Sequence, residues 1–222
     1  MARSKEDIYM DLIDRLVRDS RVNARKMKIE IKDGAVVLKG SVQSLSARDA
    51  AEADVWLVKD VNSVENNLVI EFPESYSRPS DQAIKESVNR LMNWDPDLYL
   101  ERIDVFVENG RVVLEGAVKT YGNKMHAQRL VGSTGGVIEI LNRLLVIPSE
   151  ALSDEAIGRN IISKFSNNSI IDINSIYIEV KNGMVTLSGI VKSRNAFEIA
   201  EDMVRYTDGV IKIENKLVIA KD

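Results

Sequence analysis

Apolar and polar positions along this chain follow two periods, and the switch between them recurs three times. Ile84, Val88, Leu91 and Met92 fall at i, i+4, i+7 and i+8, one face of an α-helix. Met27, Ile29 and Ile31 alternate with Lys28, Glu30 and Lys32, the period of a half-buried strand. A second strand places Val36, Leu38, Gly40 and Val42 on its inner face. Between the two strands stands Asp33-Gly34, and in later copies Asn109-Gly110 or Asn182-Gly183. Such pairs predict two-residue hairpins, whose turns need positive φ at both central residues. A helix with small residues follows (Ala47, Ala51 and Val55 in the first copy), then a last strand over 64–70, 140–146 or 213–219. Ser80 and Ser153 stand at N-cap positions, each followed by an acidic residue, Asp81 or Asp154.

The copies align without gaps. Gly34 and Gly40, Gly110 and Gly116, and Gly183 and Gly189 are pairs six residues apart, and their first members lie 76 and then 73 residues apart. Ile8, Ile84 and Ile157 share one offset from the first glycine, and Leu38, Leu114 and Leu187 share another. Asn66, Asn142 and Asn215 share a third. The expected organisation is a unit over 1–72, a linker over 73–79, a unit over 80–147, a linker over 148–152 and a unit over 153–222. Pro73, Pro79 and Pro148 mark the linkers. The predicted fold class is α+β: three tandem α-β-β-α-β units, each with two helices on one face of a three-stranded mixed sheet. The β-α-β step calls for a right-handed crossover. A unit of this size has a small core, so packing of unit on unit is expected. The second glycine of each pair marks a bulge or a close approach of helix backbone.

These residues resemble a known family. IYIEVKNGMVTLSGIV followed by GVIKIENKLVI, and IDVFVENGRVVLEGAV followed by GVIEILNRLLV, are similar to the BON domain (bacterial osmotically inducible and nodulation-associated domain). The first copy departs most, with Asp33 before the turn glycine and Asp60 where the others have Gly136 and Gly209. The resemblance covers nearly the whole chain, but its motifs are structural. It implies a phospholipid-binding or envelope-stress protein, usually periplasmic.

Composition narrows the choice. The 222 residues carry a formal net charge of −4, no cysteine and one histidine. The mild acidity argues against nucleic acid as a partner. Disulfides and thiolate metal sites are excluded. No apolar run is long enough to span a membrane. The start, MARSKEDIYMDLIDRLVRD, lacks the apolar core of a leader. The expectation is therefore a cytosolic protein if Met1 is the true start, and a periplasmic one if a leader was removed.

No catalytic, cofactor or metal constellation is legible, so a non-catalytic binding protein is expected. Asn66, Asn142 and Asn215 share parity with core leucines and are expected to face inward and tie down backbone near the hairpin or a helix end. His126, with Ala50 and Ile199 as counterparts, reads as a surface or boundary residue without an oriented partner. Asp95 and Asp97 flank Pro96 and read as turn formers. Trp94, Leu98 and Tyr99 follow the first helix of the second copy and suit a bilayer interface or a protein contact. The matching segment of the first copy holds Arg18, Arg21, Arg25, Lys26 and Lys28 against Asp19, a local charge of +4. The candidate partners are thus an anionic phospholipid surface, or protein, including a second copy of the chain. On the sheet face away from the helices, Phe106, Val113, Leu141 and Leu145 make the middle copy the most apolar, and another unit or another chain is expected to cover them.

Overall fold

A computed structural model describes residues 4–220; the expected outer boundaries at 1 and 222 lie outside the described residues. Repeat one contains α1 (Lys5–Arg18), β1 (Met27–Lys32), β2 (Ala35–Val42), α2 (Leu45–Trp56) and β3 (Ser63–Ile70). Repeat two contains α3 (Asp81–Trp94), β4 (Arg102–Glu108), β5 (Arg111–Val118) and α4 (Tyr121–Gly132). Its last strand runs in two pieces, β6 (Glu139–Asn142) and β7 (Leu145–Val146). The Arg143 N–H still donates to the Leu114 carbonyl at 2.8 Å, which carries the ladder through the gap. Repeat three contains α5 (Asp154–Ser166), β8 (Ile176–Lys181), β9 (Met184–Val191), α6 (Arg194–Arg205) and β10 (Lys212–Ile219).

Each sheet is mixed. In repeat one β2 is central, antiparallel to β1 and parallel to β3. Repeat three has the same order, with β9 central. Both helices pack on one face. The core of repeat one joins Ile8, Leu12 and Leu16 of α1 with Ala47, Ala51 and Val55 of α2 over Val36, Leu38 and Leu68. Repeat three repeats the arrangement with Ile157, Ile161 and Phe165 against Ala196, Ala200 and Val204 over Leu187 and Leu217. This is the α+β arrangement expected from the sequence. One position departs: Leu91 of α3 is exposed although it lies on the predicted apolar stripe.

Three backbone devices recur. The hairpin dipeptides all take positive φ, 51° and 81° at Asp33-Gly34 and 50° and 71° at Asn182-Gly183, as a type I′ turn requires. Gly40, Gly116 and Gly189 also have positive φ, and a Cβ there would overlap the carbonyl oxygen of Lys26, Arg102 or Ser175. In repeats one and three that carbonyl ends a short 3-10 turn, Ala24–Lys26 or Ile173–Ser175. The close approach is therefore made by this turn and not by a main helix. The third device joins the first helix to the hairpin in repeats two and three. The Asp154 carboxylate accepts from the N–H groups of Asn182 and Gly183 at 2.7 and 2.9 Å, and Asp81 does the same for Asn109 and Gly110. The first turn of the first helix thus latches the hairpin. Desolvation opposes ionisation of Asp81, yet the two amides and Arg78 hold its carboxyl below the ordinary range. Repeat one has Lys5 at this position, and there the Asn62 side-chain Nδ2 donates to the Asp33 carbonyl of the turn at 3.3 Å.

The chain divides into two compact units that do not coincide with the repeats: Met1–Val88, Phe106–Val112 and Val131–Leu141 form one, and Asn89–Val105, Val113–Leu130 and Asn142–Asp222 the other. Residues of the middle repeat belong to both. Within the second unit, repeat two meets repeat three. Tyr121 packs against the core of repeat three, and Arg129 donates to the Tyr206 hydroxyl at 3.1 Å. Gly122 leaves room for the Tyr206 ring, which a Cβ would overlap. No helix among the described residues is long and apolar enough to cross a membrane.

Repeat one also holds a buried carboxyl. Asp54 of α2 is 8% exposed, and its Oδ2 has no hydrogen-bond partner. Burial pushes its pKa up, the charge of Asp19 adds to the shift, and Arg15 and Arg21 oppose it.

Two outcomes are expected. Asp154→Ala removes charge-assisted bonds from the two turn amides and should cost about 1 kcal/mol, discounted for exposure, read as a lower denaturation midpoint. An unchanged midpoint would refute the latch. Asp54→Asn should behave oppositely. A carboxyl whose folded pKa is raised favours the fold below its unfolded value of about 4, and that contribution is lost as pH rises through the folded value. The amide should therefore raise Tm at neutral pH, with the gain shrinking toward acid. Equal destabilisation at both pH values would exclude this reading.

Candidate functional site

α3 ends at Trp94 and the chain turns at once. The Asp95 carbonyl accepts from the N–H groups of Leu98 and Tyr99 at 3.2 and 3.0 Å, and the Asp95 Oδ1 accepts from the Asp97 N–H at 3.0 Å. Trp94 is 84% exposed, and Tyr99, Leu100 and Leu91 are exposed with it. Leu98 is a correction: at 2% exposed it belongs to the core and offers nothing to a membrane or partner. The i to i+3 bond from its N–H folds it inward, which spacing alone does not reveal.

The basic segment of repeat one is also corrected, in its charge. Arg18, Arg21, Arg25 and Lys26 are exposed, but three of them are paired. Arg18 meets Asp14 at 3.3 Å and Lys26 meets Glu71 at 3.6 Å. The Arg21 Nε donates to both oxygens of Asp19 at 3.0 and 3.1 Å. Those bonds, with the Arg21 backbone N–H, lower the Asp19 carboxyl to about 2. The local charge of +4 omitted Asp14, which lies on the preceding helical turn, and Glu71, which follows β3. Arg25 and Lys26 line different hollows. Arg25 borders an open, mostly apolar groove of about 500 Å³ with Ile13, Val17 and Val22. Lys26 borders a smaller one of about 230 Å³ with Ser41, Gln43 and Glu71.

On the outer sheet faces, Phe106 and Leu145 are 50% and 65% exposed and Leu141 is also exposed, while Val113 is half-buried. The Lys85 ammonium lies 5.7 Å from the Phe106 ring centre. The cover expected from another unit of the chain is therefore not supplied at Phe106 and Leu145. In repeat three, Val218 pairs with Ile190 across the parallel ladder, and Tyr177 is opposite Ser188, two residues before Ile190. All three apolar side chains are exposed.

The recurrent asparagines are half-buried and face the second helix. Asn66 Nδ2 donates to the Arg48 carbonyl at 3.0 Å and to Glu52 at 3.1 Å, while its Oδ1 accepts from the Leu68 N–H. Asn142 repeats this with Lys124, Gln128 and Leu144, and Asn215 with Glu201 and Leu217. They join the last strand to the helix before it. The sequence could have shown this, because Glu52, Gln128 and Glu201 share one offset.

His126 differs from its expected role. Its Nε2 lies 2.7 Å from the Asp95 Oδ2, and one ligand atom of each of Asp95, Asp97 and His126 falls within 4.8 Å of the others. Asn123, one turn before His126, donates from Nδ2 to the Asp97 carbonyl at 3.0 Å and to Glu101 at 2.7 Å. The helix α4 thus fixes the 95–101 turn and brings an imidazole to it. Nothing in linear spacing shows this, since 31 residues separate Asp95 from His126.

Comparison with known proteins gives a family and little beyond it. No curated protein matches the chain. Among solved structures, the chain is similar to CdsD, a structural protein of the type III secretion system of Chlamydia trachomatis, at 16% identity, covering 97% of this chain and 94% of that one, with a TM-score of 0.27. The C-terminal domain of CdsD gives 14% identity over 99% and 100%, also at 0.27. The PrgH periplasmic domain gives 11% over 94% and 100%, at 0.22. Scores this low carry no argument about arrangement or role. Residues 4–71, 80–148 and 153–221 each match the BON domain, so this chain belongs to the BON domain family and carries the domain three times in tandem.

Proposed function

We propose that this is a non-catalytic binding protein that attaches peripherally to an envelope phospholipid surface through the end of α3. The observation that carries the reading is the exposure of Trp94 beside Tyr99 and Leu100, on a turn whose backbone is fixed by Asp95 and Asn123. An exposed aromatic held on a rigid turn loses little conformational freedom when it enters an interface. The apolar groove bordered by Arg25 adds support, since it pairs an apolar floor with a cation, the complements of the tail and the headgroup of an anionic amphiphile. Electrostatic attraction is modest in this scheme, because the net charge is −4 and most of the basic segment is paired. The proposed domain boundaries are the two linkers, 73–79 and 148–152.

A second reading is association with protein, including self-association, through the outer sheet faces. Exposed Ile190 and Val218 as ladder neighbours favour it, as does the exposure of Phe106 and Leu145.

Co-sedimentation with phosphatidylglycerol vesicles at low salt tests the first reading. Trp94→Ala should weaken binding about fivefold, as expected for loss of roughly 1 kcal/mol of interfacial burial. In a Trp56→Phe background, Trp94 fluorescence should shift to the blue on binding. Absence of binding at low salt would eliminate the lipid reading. Size-exclusion with light scattering tests the second: Phe106→Asp or Ile190→Asp should convert an oligomer to a monomer, and a wild-type monomer at high concentration counts against it.

A further inference from the structure

We propose that Asp95, Asp97 and His126 form a binding site for a divalent first-row transition ion of the Zn²⁺ class. The proposal is independent of the lipid reading.

The donor set comes first. One imidazole nitrogen and two carboxylates suit borderline ions such as Zn²⁺ or Co²⁺, whereas Ca²⁺ and Mg²⁺ prefer oxygen alone. The geometry comes next. Around a tetrahedral ion bonded at about 2.1 Å, the ligand atoms sit about 3.4 Å apart. The Nε2 of His126 and Oδ2 of Asp95 are 2.7 Å apart, a hydrogen-bonded pair that has to part by about 0.7 Å to share an ion. The whole set spans no more than 4.8 Å, so exposed Asp97 has to move in by at most about 1.4 Å, which rotation of its carboxylate side chain can supply. Three protein ligands leave positions for water, which suits a partly open site.

The supporting groups are in place. The corresponding Asx turn occurs in every repeat: the Oδ1 of Asp19, Asp95 or Asn168 accepts from the N–H two residues on, at 2.8, 3.0 and 2.9 Å. That bond occupies Oδ1 of Asp95 and leaves Oδ2 directed at His126. Asn123 holds the Asp97 carbonyl, so the turn is fixed before any ion arrives. The remaining positions are private to repeat two. Where it has Asp97 and His126, repeat one has Arg21 and Ala50, and repeat three has Ile170 and Ile199. The fold is built twice without these side chains, so it does not require them.

His126 is the sole histidine, and its imidazole resonances therefore report on this site alone. The experiment is a Zn²⁺ titration of the untagged, metal-stripped full chain, followed by calorimetry and by the imidazole ¹⁵N signals. One-to-one binding with a large shift of the Nε2 signal is expected. Asp97→Asn keeps the imidazole probe, and His126→Ala removes it; each should weaken Zn²⁺ binding about tenfold or more. Asp97 is exposed, so its variant remains informative even if the loss of His126 disturbs folding. No change in the imidazole signals up to millimolar Zn²⁺ would mean that Asp95 and His126 form only a hydrogen-bonded pair, and would overturn the proposal. Unchanged affinity in both variants would overturn it as well, by placing the ion elsewhere.

Discussion

Each repeat depends on closing one sheet face with two helices. Leu38, Leu114 and Leu187 are fully buried, and they occupy the same place on the central strand of each copy. Around them, residues of the first helix meet small residues of the second, and the alanines Ala51, Ala127 and Ala200 let the second helix lie close. Bulkier residues at those alanines would lift the helix from the sheet. The cost of this arrangement is that nothing within a repeat remains to cover the opposite face. An open sheet of three strands can keep that face wet, provided its residues are polar. Repeat one meets this condition better than the others, with an ion pair between Lys39 and Glu30 on neighbouring strands. The exposed apolar residues of repeats two and three are where function can be sought.

The shared residues serve the backbone. The type I′ hairpins, the contact at the second glycine and the asparagine between strand and helix answer local requirements, so they recur without chemistry attached. The differences among copies carry the individual features. Trp94 replaces Arg18 and Asn167 at the end of the first helix. Tyr206 meets Gly122 and Arg129 because repeat two offers a glycine at the point of contact. His126 meets Asp95 because a turn used by every repeat has gained an imidazole beside it. A tandem array of one domain thus keeps its framework while each copy diverges at its edges.

Electrostatics shows why counting charges along a segment misleads. Five basic residues against one acid look like an anion-binding patch. Folding brings Glu71 beside Lys26, and the helix places Asp14 one turn before Arg18. Exposed pairs of this kind add little stability, but they cancel the field a distant anion would feel. Asp54 shows the opposite effect. A residue that reads as an ordinary polar position in a helix becomes a buried carboxyl near another acid, Asp19.

By itself the sequence determined the repeat number, the order of elements, the hairpin turns and the buried face of each strand. These follow from periodicity and from turn chemistry, which act over a few residues and were legible three times over. Even the asparagine bridge was within reach, since its helix partners recur at a constant offset. The tertiary structure alone decided the rest. Leu98 and Trp94 are four residues apart with the same apolar character, and only the turn at Asp95 buries one and exposes the other. The pairing of Asp81 and Asp154 with the hairpin amides, and of His126 with Asp95, joins residues about thirty positions apart. No local pattern encodes such a meeting, because it depends on where the core directs each helix.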